Sequence, residues 1–553
     1  MEHRRLIICA IACLAIAAIA RADATSPAGL DAFARGLDGP YRIVNGKLQT
    51  FTWDINVTGP PDNGSKDAKT SRLTLVRRGD GEFACAMSNG SSSHLTLLRT
   101  ASAAAVIDHT RRRVFLGEGP TPQGDDAMQF DEFTRHLATA HGDLSAATEI
   151  IRGAADSRVM ALQMIGMLKL VEKPVANGAV VLQSSEAVNG RLYTITVDPK
   201  AGCISSITWA SAEGNGSLAY RLDAEARMPE LPGDGYETIK VDRAELERTL
   251  VRGAVRGVEI LYRLDHPRTL RDRRRKIDNG LLVIRKGQRI LMLAGSPQQI
   301  GTQHGKLLSR EVGRTIDSLL YTYCLHESLE RGTWMLDECR KAWAAQSSHI
   351  ADEYKAEMAA LAKAAEVRLE DVQLVNTLPA MRRGTSFAMA SQATQGGKLL
   401  HGRVLDSLTG LDMQDAATLM IIRKQGAKPL VSVGYAGLVG CLNGMNSEKI
   451  AVSAGAGDGR TIWDDEPTPF IVRQLLERCK SLDEVLAALK GGARTAQVDY
   501  VISDGKTLRA ETVHTSPDNV TVTGLGEQGN GQQTPVPGCV IVANGDNLAA
   551  LLA

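Results

Sequence analysis

The sequence predicts an α+β protein built in two units, and three observations lead there. Residues 25–232 carry short runs that alternate apolar and polar side chains, as half-buried antiparallel strands do. Residues 290–553 instead gather helical periods into one run and strands into the next, the pattern of a layered α+β domain. The composition suits folded cores: of 553 residues 43% are apolar, 23% charged and 4% aromatic, enough chain for about two to four domains.

Charge narrows the partners. Lys plus Arg number 64 against 63 Asp plus Glu, a formal net charge of +1. Neutralising nucleic-acid phosphates requires a basic excess, so the sequence predicts no nucleic-acid partner.

The N-terminus predicts export. Arg4 and Arg5 precede an uncharged run from Leu6 to Ala20, and Ala22-Asp23-Ala24 offers a small-x-small cleavage pattern, so residues 1–24 read as a signal peptide and the mature protein as periplasmic or secreted. The run is shorter than the roughly 20 residues of a spanning helix, which disfavours an anchor. Cys9 and Cys13 fall inside it. Cys85, Cys203, Cys324, Cys339, Cys441, Cys479 and Cys539 remain, an odd number, with Cys324 and Cys339 nearest in sequence. There is no C-x-x-C and no H-E-x-x-H, so no metal site is expected.

In the first unit, strands are expected at Tyr41-Arg42-Ile43-Val44, Gln49-Thr50-Phe51-Thr52-Trp53, Ser71-Arg72-Leu73-Thr74-Leu75-Val76 and Leu192-Tyr193-Thr194-Ile195-Thr196-Val197. A helical insert spans about 125–172. Its Met160, Met164 and Met167 stripe reads as core, not as a cofactor site. The run Val197-Asp198-Pro199-Lys200-Ala201-Gly202-Cys203-Ile204-Ser205-Ser206-Ile207 resembles the hairpin of exported lipoprotein-carrier-like half barrels, which implies a half-barrel-like domain with a membrane-surface or lipid contact. Residues 233–289 read as a connector. Its Arg268, Arg271, Arg273, Arg274, Arg275 and Lys276 are interleaved with Asp265, Asp272 and Asp278, as on a solvated linker.

In the second unit, helices are expected at 300–323, 350–364 and 369–378. Strands are expected at 385–390, 398–403, 417–424, 429–433 and 449–453, then helices at 470–479 and 482–489, and strands at 498–503 and 507–513. A nucleophile elbow needs a strand, a turn and a helix. The nearest variant, Ala451-Val452-Ser453-Ala454-Gly455, runs on through Gly457 and Gly459, so Ser453 reads as a loop serine, with His514 the histidine downstream.

A set of segments in fixed order carries more. They are Gly295-Ser296-Pro297-Gln298-Gln299-Ile300-Gly301-Thr302-Gln303-His304-Gly305, Leu369-Glu370-Asp371-Val372-Gln373-Leu374-Val375-Asn376 and Gly384-Thr385-Ser386-Phe387-Ala388. Then follow Gly397-Lys398-Leu399-Leu400-His401-Gly402-Arg403-Val404-Leu405-Asp406, Val433-Gly434-Tyr435-Ala436-Gly437, Gly444-Met445-Asn446-Ser447-Glu448 and Tyr500-Val501-Ile502-Ser503-Asp504-Gly505-Lys506. In this order they resemble the isopenicillin N acyltransferase-like family of N-terminal nucleophile amide hydrolases. The resemblance implies an αββα sandwich over 290–553, no cofactor, and a Gly-Cys bond that cleaves itself. The freed Cys then supplies thiol nucleophile and amine base together. It also implies that Arg403 and Asp406 orient the new amino terminus and that Asn446 donates to an oxyanion.

The chain departs from the family at the nucleophile, where Gly384 stands in place of Cys. Two readings stay open. In one, Thr385 becomes the nucleophile after cleavage of the Gly384–Thr385 bond, although a shift of one residue along a strand turns the side chain to the other face; Ser386 keeps the parity but needs cleavage after Thr385. In the other, the unit is a non-catalytic envelope protein that binds an acylated or lipid ligand. Members of the family usually continue past the segment matching Val542-Ala543-Asn544-Gly545-Asp546, so the resemblance also implies a shortened C-terminus. His304, His401, the Arg403–Asp406 pair and Asn446 each have a purely structural alternative as packing, ion-pair or turn groups.

Overall fold

The computed structural model describes residues 26–38, 50–58, 70–78, 81–89, 94–123, 128, 157–174, 179–188, 190–198, 200, 202–212, 214–222, 227–265, 269–378, 384–405, 409–455, 466–492, 498–516, 519–526 and 537–542. The signal peptide, the strand expected at 41–44 and Asp406 lie outside the described residues. The chain forms two compact units, Met1–Asp265 with Leu325–Trp334, and His266–Cys324 with Met335–Ala553.

The first unit holds a twelve-stranded open sheet. In spatial order its strands are Glu237–Lys240, Arg113–Glu118, Ala103–Asp108, His94–Arg99, Glu82–Asn89, Thr70–Arg78, Thr50–Thr58, Gly214–Leu222, Cys203–Ser211, Arg191–Asp198, Val180–Ser184 and Leu170–Lys173. Neighbours run antiparallel except the first pair. Helices Pro27–Asp38 and Ser157–Leu168 bury Phe33, Met164, Ile165 and Met167 against Ile195 and Trp209, so Met164 and Met167 are core. Among the described residues no helix is long and apolar enough to cross a membrane.

The stretch 233–289, expected as a connector, divides between the units. Strand Glu237–Lys240 and helix Arg243–Asp265 belong to the first. That helix buries Leu246, Leu250, Val251 and Ile260, a helical spacing that its many charges mask in the sequence. Strands Arg273–Ile277 and Gly280–Arg285 open the second unit, ahead of the expected start at 290. Arg273, Arg274, Arg275 and Lys276 form an exposed edge strand, where charge blocks pairing with another sheet.

The second unit stacks two sheets. The larger has ten strands in the order Arg273–Ile277, Gly280–Arg285, Gln288–Gly295, Ala417–Lys424, Leu430–Tyr435, Asn443–Asn446, Ile450–Ala454, Val498–Asp504, Arg509–Thr515 and Val520–Gly524. Gln288–Gly295 pairs parallel with Ala417–Lys424. A parallel pair needs a long crossover, and the helical run from 297 to 377 lies within it. The smaller sheet orders Gly397–Val404, Thr385–Ser391 and Cys539–Val542. Ala388, Val540 and Val542 of the small sheet pack on Val501 and Ala510 of the large one.

Helix Pro297–Ile316 begins where the sequence dictates: Ser296 and Gln299 form a reciprocal capping box, with Pro297 in the first turn. Its Gly301 and Gly305 let helix Asp352–Ala365 lie against it. A Cβ at those positions would come within 2.2 Å of the Glu357 carbonyl oxygen and 2.5 Å of that of Leu361. The two glycines of the Gly301-to-Gly305 segment are therefore packing residues.

Behind the large sheet a buried charge cluster pins the loop after Tyr435. Arg473, on helix Thr468–Arg478, donates to both carboxylate oxygens of Glu357 (2.9 and 2.7 Å), to Glu477 (3.0 Å) and to the Val439 carbonyl. Asn376 spans the same loop, donating to Gly437 O and accepting from Val439 N and Gly440 N. His304 accepts from Gly437 N at 3.1 Å. Burial first, and then the Arg473 charge, push its imidazole down to about 4, so it serves this loop as a neutral acceptor.

Candidate functional site

Strand register sorts the candidate residues by face, because residues paired across a ladder share a side. Ser386 pairs with Arg403 and with Val542, and Ala388 pairs with His401 and with Val540. Since Ala388, Val540 and Val542 face the large sheet, so do Ser386, Arg403 and His401. Thr385 pairs with Val404, which is 54% exposed on the opposite face. Thr385 is itself buried, but on the side away from Arg403.

Between the sheets these side chains form a polar strip in an otherwise apolar layer. Arg403 Nη1 donates to Ser386 Oγ at 3.2 Å. His401 lies 2.8 Å from Ser503 Oγ through Nδ1 and 2.8 Å from Ser453 Oγ through Nε2. Ser386, Ser453 and Ser503 are all buried. Tyr435 belongs to the same neighbourhood: burial pushes its phenol up, and the Arg403 charge pulls it back. The contact between His401 and Ser453 is one that spacing did not indicate. His514, the downstream histidine, bonds Asp499 instead, at 2.5 Å.

Gly384 has φ of +139°, and a Cβ there would sit 2.2 Å from Val404 O and 3.1 Å from Arg403 Nη1. The backbone at the position matched to the nucleophile thus leaves no room for any side chain. Among the described residues the thiols lie elsewhere. Cys441 is buried within reach of Ser432 and Arg473, its thiol pushed up to about 11 chiefly by burial, and Cys539 pairs with Met389 on the outer-face parity.

Asn446 does not join Arg403. Its Nδ2 gives both hydrogens to Leu476 O and Cys479 O, at 2.9 and 2.8 Å, and its Oδ1 accepts from Glu448 N and Ile450 N. With the amide saturated it has no hydrogen left for an oxyanion, and it anchors the strand turn to helix Thr468–Arg478. Ser503 and Tyr435 lie in segments that carry the resemblance, but sequence reasoning gave neither of them a role. The inward parity of Ser503 in the Tyr500-to-Gly505 segment was the one signal that could have marked it.

Electrostatics sets what the strip does. Burial, then the Arg403 charge, push the His401 imidazole down from 6.5 to about 4. It is neutral at pH 7, one nitrogen donating and the other accepting. Protonating it there costs about 4 kcal/mol, which makes it a poor general base and a sound hydrogen-bonding group. As the pH falls from 6.5 toward 4, the unfolded chain takes up a proton that the folded chain refuses, so stability is lost on acidification, by about 1.4 kcal/mol per pH unit for one such group. His401→Gln is expected to remove that share of the slope. Urea melts at pH 7 and pH 5 check it, and equal slopes in variant and parent would place the imidazole near its ordinary pKa.

Comparison with known proteins bears on the same region. Residues 401–527 match the acyl-coenzyme A:6-aminopenicillanic acid acyl-transferase family model. That acyltransferase match takes in His401, Arg403, Tyr435, Ser453 and Ser503 and stops short of Gly384. Among solved structures the chain is similar to a Caenorhabditis elegans ortholog of N-acylethanolamine-hydrolyzing acid amidase, with 16% identity, 29% of this chain and 69% of that one covered, and a TM-score of 0.24. A variant of conjugated bile acid hydrolase from Clostridium perfringens matches at 14% identity over 31% of this chain and 49% of that one, with a TM-score of 0.15. LprF from Mycobacterium bovis matches at 10% identity over 38% of this chain and 100% of that one, with a TM-score of 0.21. No curated protein matches. The acyltransferase relationship and the α+β fold with stacked sheets agree with the expectation from sequence.

Proposed function

We propose that the second unit is an amide-hydrolase scaffold that holds an acylated small-molecule amide without cleaving it, in a protein exported by residues 1–24. The observation that carries this reading is Gly384, whose φ of +139° and 2.2 Å approach to Val404 O leave no side chain where the family places its thiol. The polar strip remains suited to binding. Arg403 would take the ligand carbonyl or carboxylate by a charge-assisted hydrogen bond, and Ser386, His401, Ser453 and Ser503 supply neutral partners.

The mature protein is then expected to show one unbroken chain by intact mass and to leave a panel of N-acyl amides uncleaved while binding one of them in calorimetry. Arg403→Ala is expected to weaken that binding roughly tenfold or more, the loss of one charged hydrogen bond. Turnover of the bound amide, or a chain cut next to Gly384, would overturn the reading.

A second reading has one observation in its favour, the 3.2 Å contact from Arg403 Nη1 to Ser386 Oγ. It makes Ser386 the nucleophile after cleavage of the Thr385–Ser386 bond. The Thr385 version instead requires cleavage one bond earlier and a side chain on the outer face. The mass of the fragments separates the two, and a Thr385→Ala chain that still breaks excludes threonine.

A further inference from the structure

We propose that Cys324 and Cys339 are a disulfide site that closes the base of the segment between them. Their sulfurs lie 4.0 Å apart, and both residues are buried, 1% and 3% exposed. Cys324 opens helix Cys324–Arg331 and Cys339 lies in helix Met335–Gln346, with Gly332 at φ +74° in the turn between them. A disulfide needs about 2.05 Å between sulfurs, so side-chain rotation has to bring them roughly 2 Å closer.

The position has a topological meaning. Both cysteines cluster with the second unit, whereas Leu325–Trp334 clusters with the first. The bond would therefore fasten the two points where the chain leaves the second unit and returns to it. By the loop-entropy account, closing a loop of about 15 residues restricts the unfolded chain and so favours the folded one.

The oxidant is a small-molecule disulfide such as oxidised glutathione. The thiolate of one cysteine attacks it, forming a mixed disulfide and releasing one thiol. The second cysteine then displaces the other thiol, so two electrons and two protons end on two molecules of reduced glutathione. Because both sulfurs are buried in the folded chain, the exchange belongs to folding, before the pair is buried.

The test uses the full chain folded in a mixture of reduced and oxidised glutathione, denatured in an alkylating agent and mapped by peptide mass. A linked peptide containing both cysteines, two hydrogens lighter than the separate thiols, is expected. Refolding in reductant is expected to lower the melting temperature by several degrees. The Cys324→Ala/Cys339→Ala chain should melt at the same temperature with or without reductant, which separates loss of the bond from loss of packing. Both thiols recovered alkylated from folded protein, or either cysteine linked elsewhere, would overturn the proposal. None of these outcomes depends on whether the second unit binds or cleaves an amide.

Discussion

Gly384→Cys is expected to leave the chain whole and to lower its stability by about 3 kcal/mol. The strain of a non-glycine residue at φ +139° amounts to about 1–3 kcal/mol, and forcing a Cβ to within 2.2 Å of Val404 O adds an overpacking cost of similar size. Relief would require the start of strand Thr385–Ser391 to move away from strand Gly397–Val404, breaking the pairing that sets Ser386 beside Arg403. Restoring the sulfur by itself therefore does not restore the chemistry. Denaturant melts of parent and variant give the stability difference, and intact mass reports cleavage. A variant cut before residue 384 with undiminished stability would show that the backbone accepts the side chain and that a single substitution separates this chain from an active enzyme.

The contrast between positions 384 and 403 explains how much of the site could be read from sequence. Arg403 is recognisable because a strand carrying His401-Gly402-Arg403 must place His401 and Arg403 on one face, and the register does so. Strand Ala417–Lys424 was legible for a different reason, since the short continuous apolar run Leu419-Met420-Ile421-Ile422 marks it. Backbone conformation at a single glycine leaves no such trace. Neither does the pairing of His401 with Ser453 and Ser503, which depends on how one sheet stacks on another. Asn446 misled because a Gly-Met-Asn turn looks the same whether the amide faces a substrate or the end of a helix. The connector misled because the charges of Arg243–Asp265 mask the helical spacing of its buried Leu246, Leu250 and Ile260.

Arg473 was invisible in the sequence as well, yet its removal is expected to cost as much stability as the Gly384 substitution or more. Arg473→Met takes the counterion from Glu357 and one of two from Glu477, while Lys424 still pairs with Glu477 at 2.5 Å. Stranding a buried carboxylate in this way costs about 3–5 kcal/mol. In the intact protein burial raises the Glu357 carboxyl above 4.5, and Arg473 is the main group pulling it back. Without that pull the carboxyl rises further. The folded state then holds a proton that the unfolded state gives up above about 4.3, so stability is lost as pH rises through the folded value. His304 acts in the same direction: with the Arg473 charge gone, part of what holds its imidazole down disappears, and acid destabilises the variant less. The deficit of the variant relative to the parent is therefore expected to be larger at pH 8 than at pH 5, and urea melts at both values measure it. Arg473→Met combined with Glu357→Leu should recover a large part of the loss, because an apolar pair of similar volume leaves no stranded charge. A double variant no more stable than Arg473→Met alone would assign the cost to the hydrogen bond from Arg473 to Val439 O, and hence to the loop that His304 and Asn376 also hold.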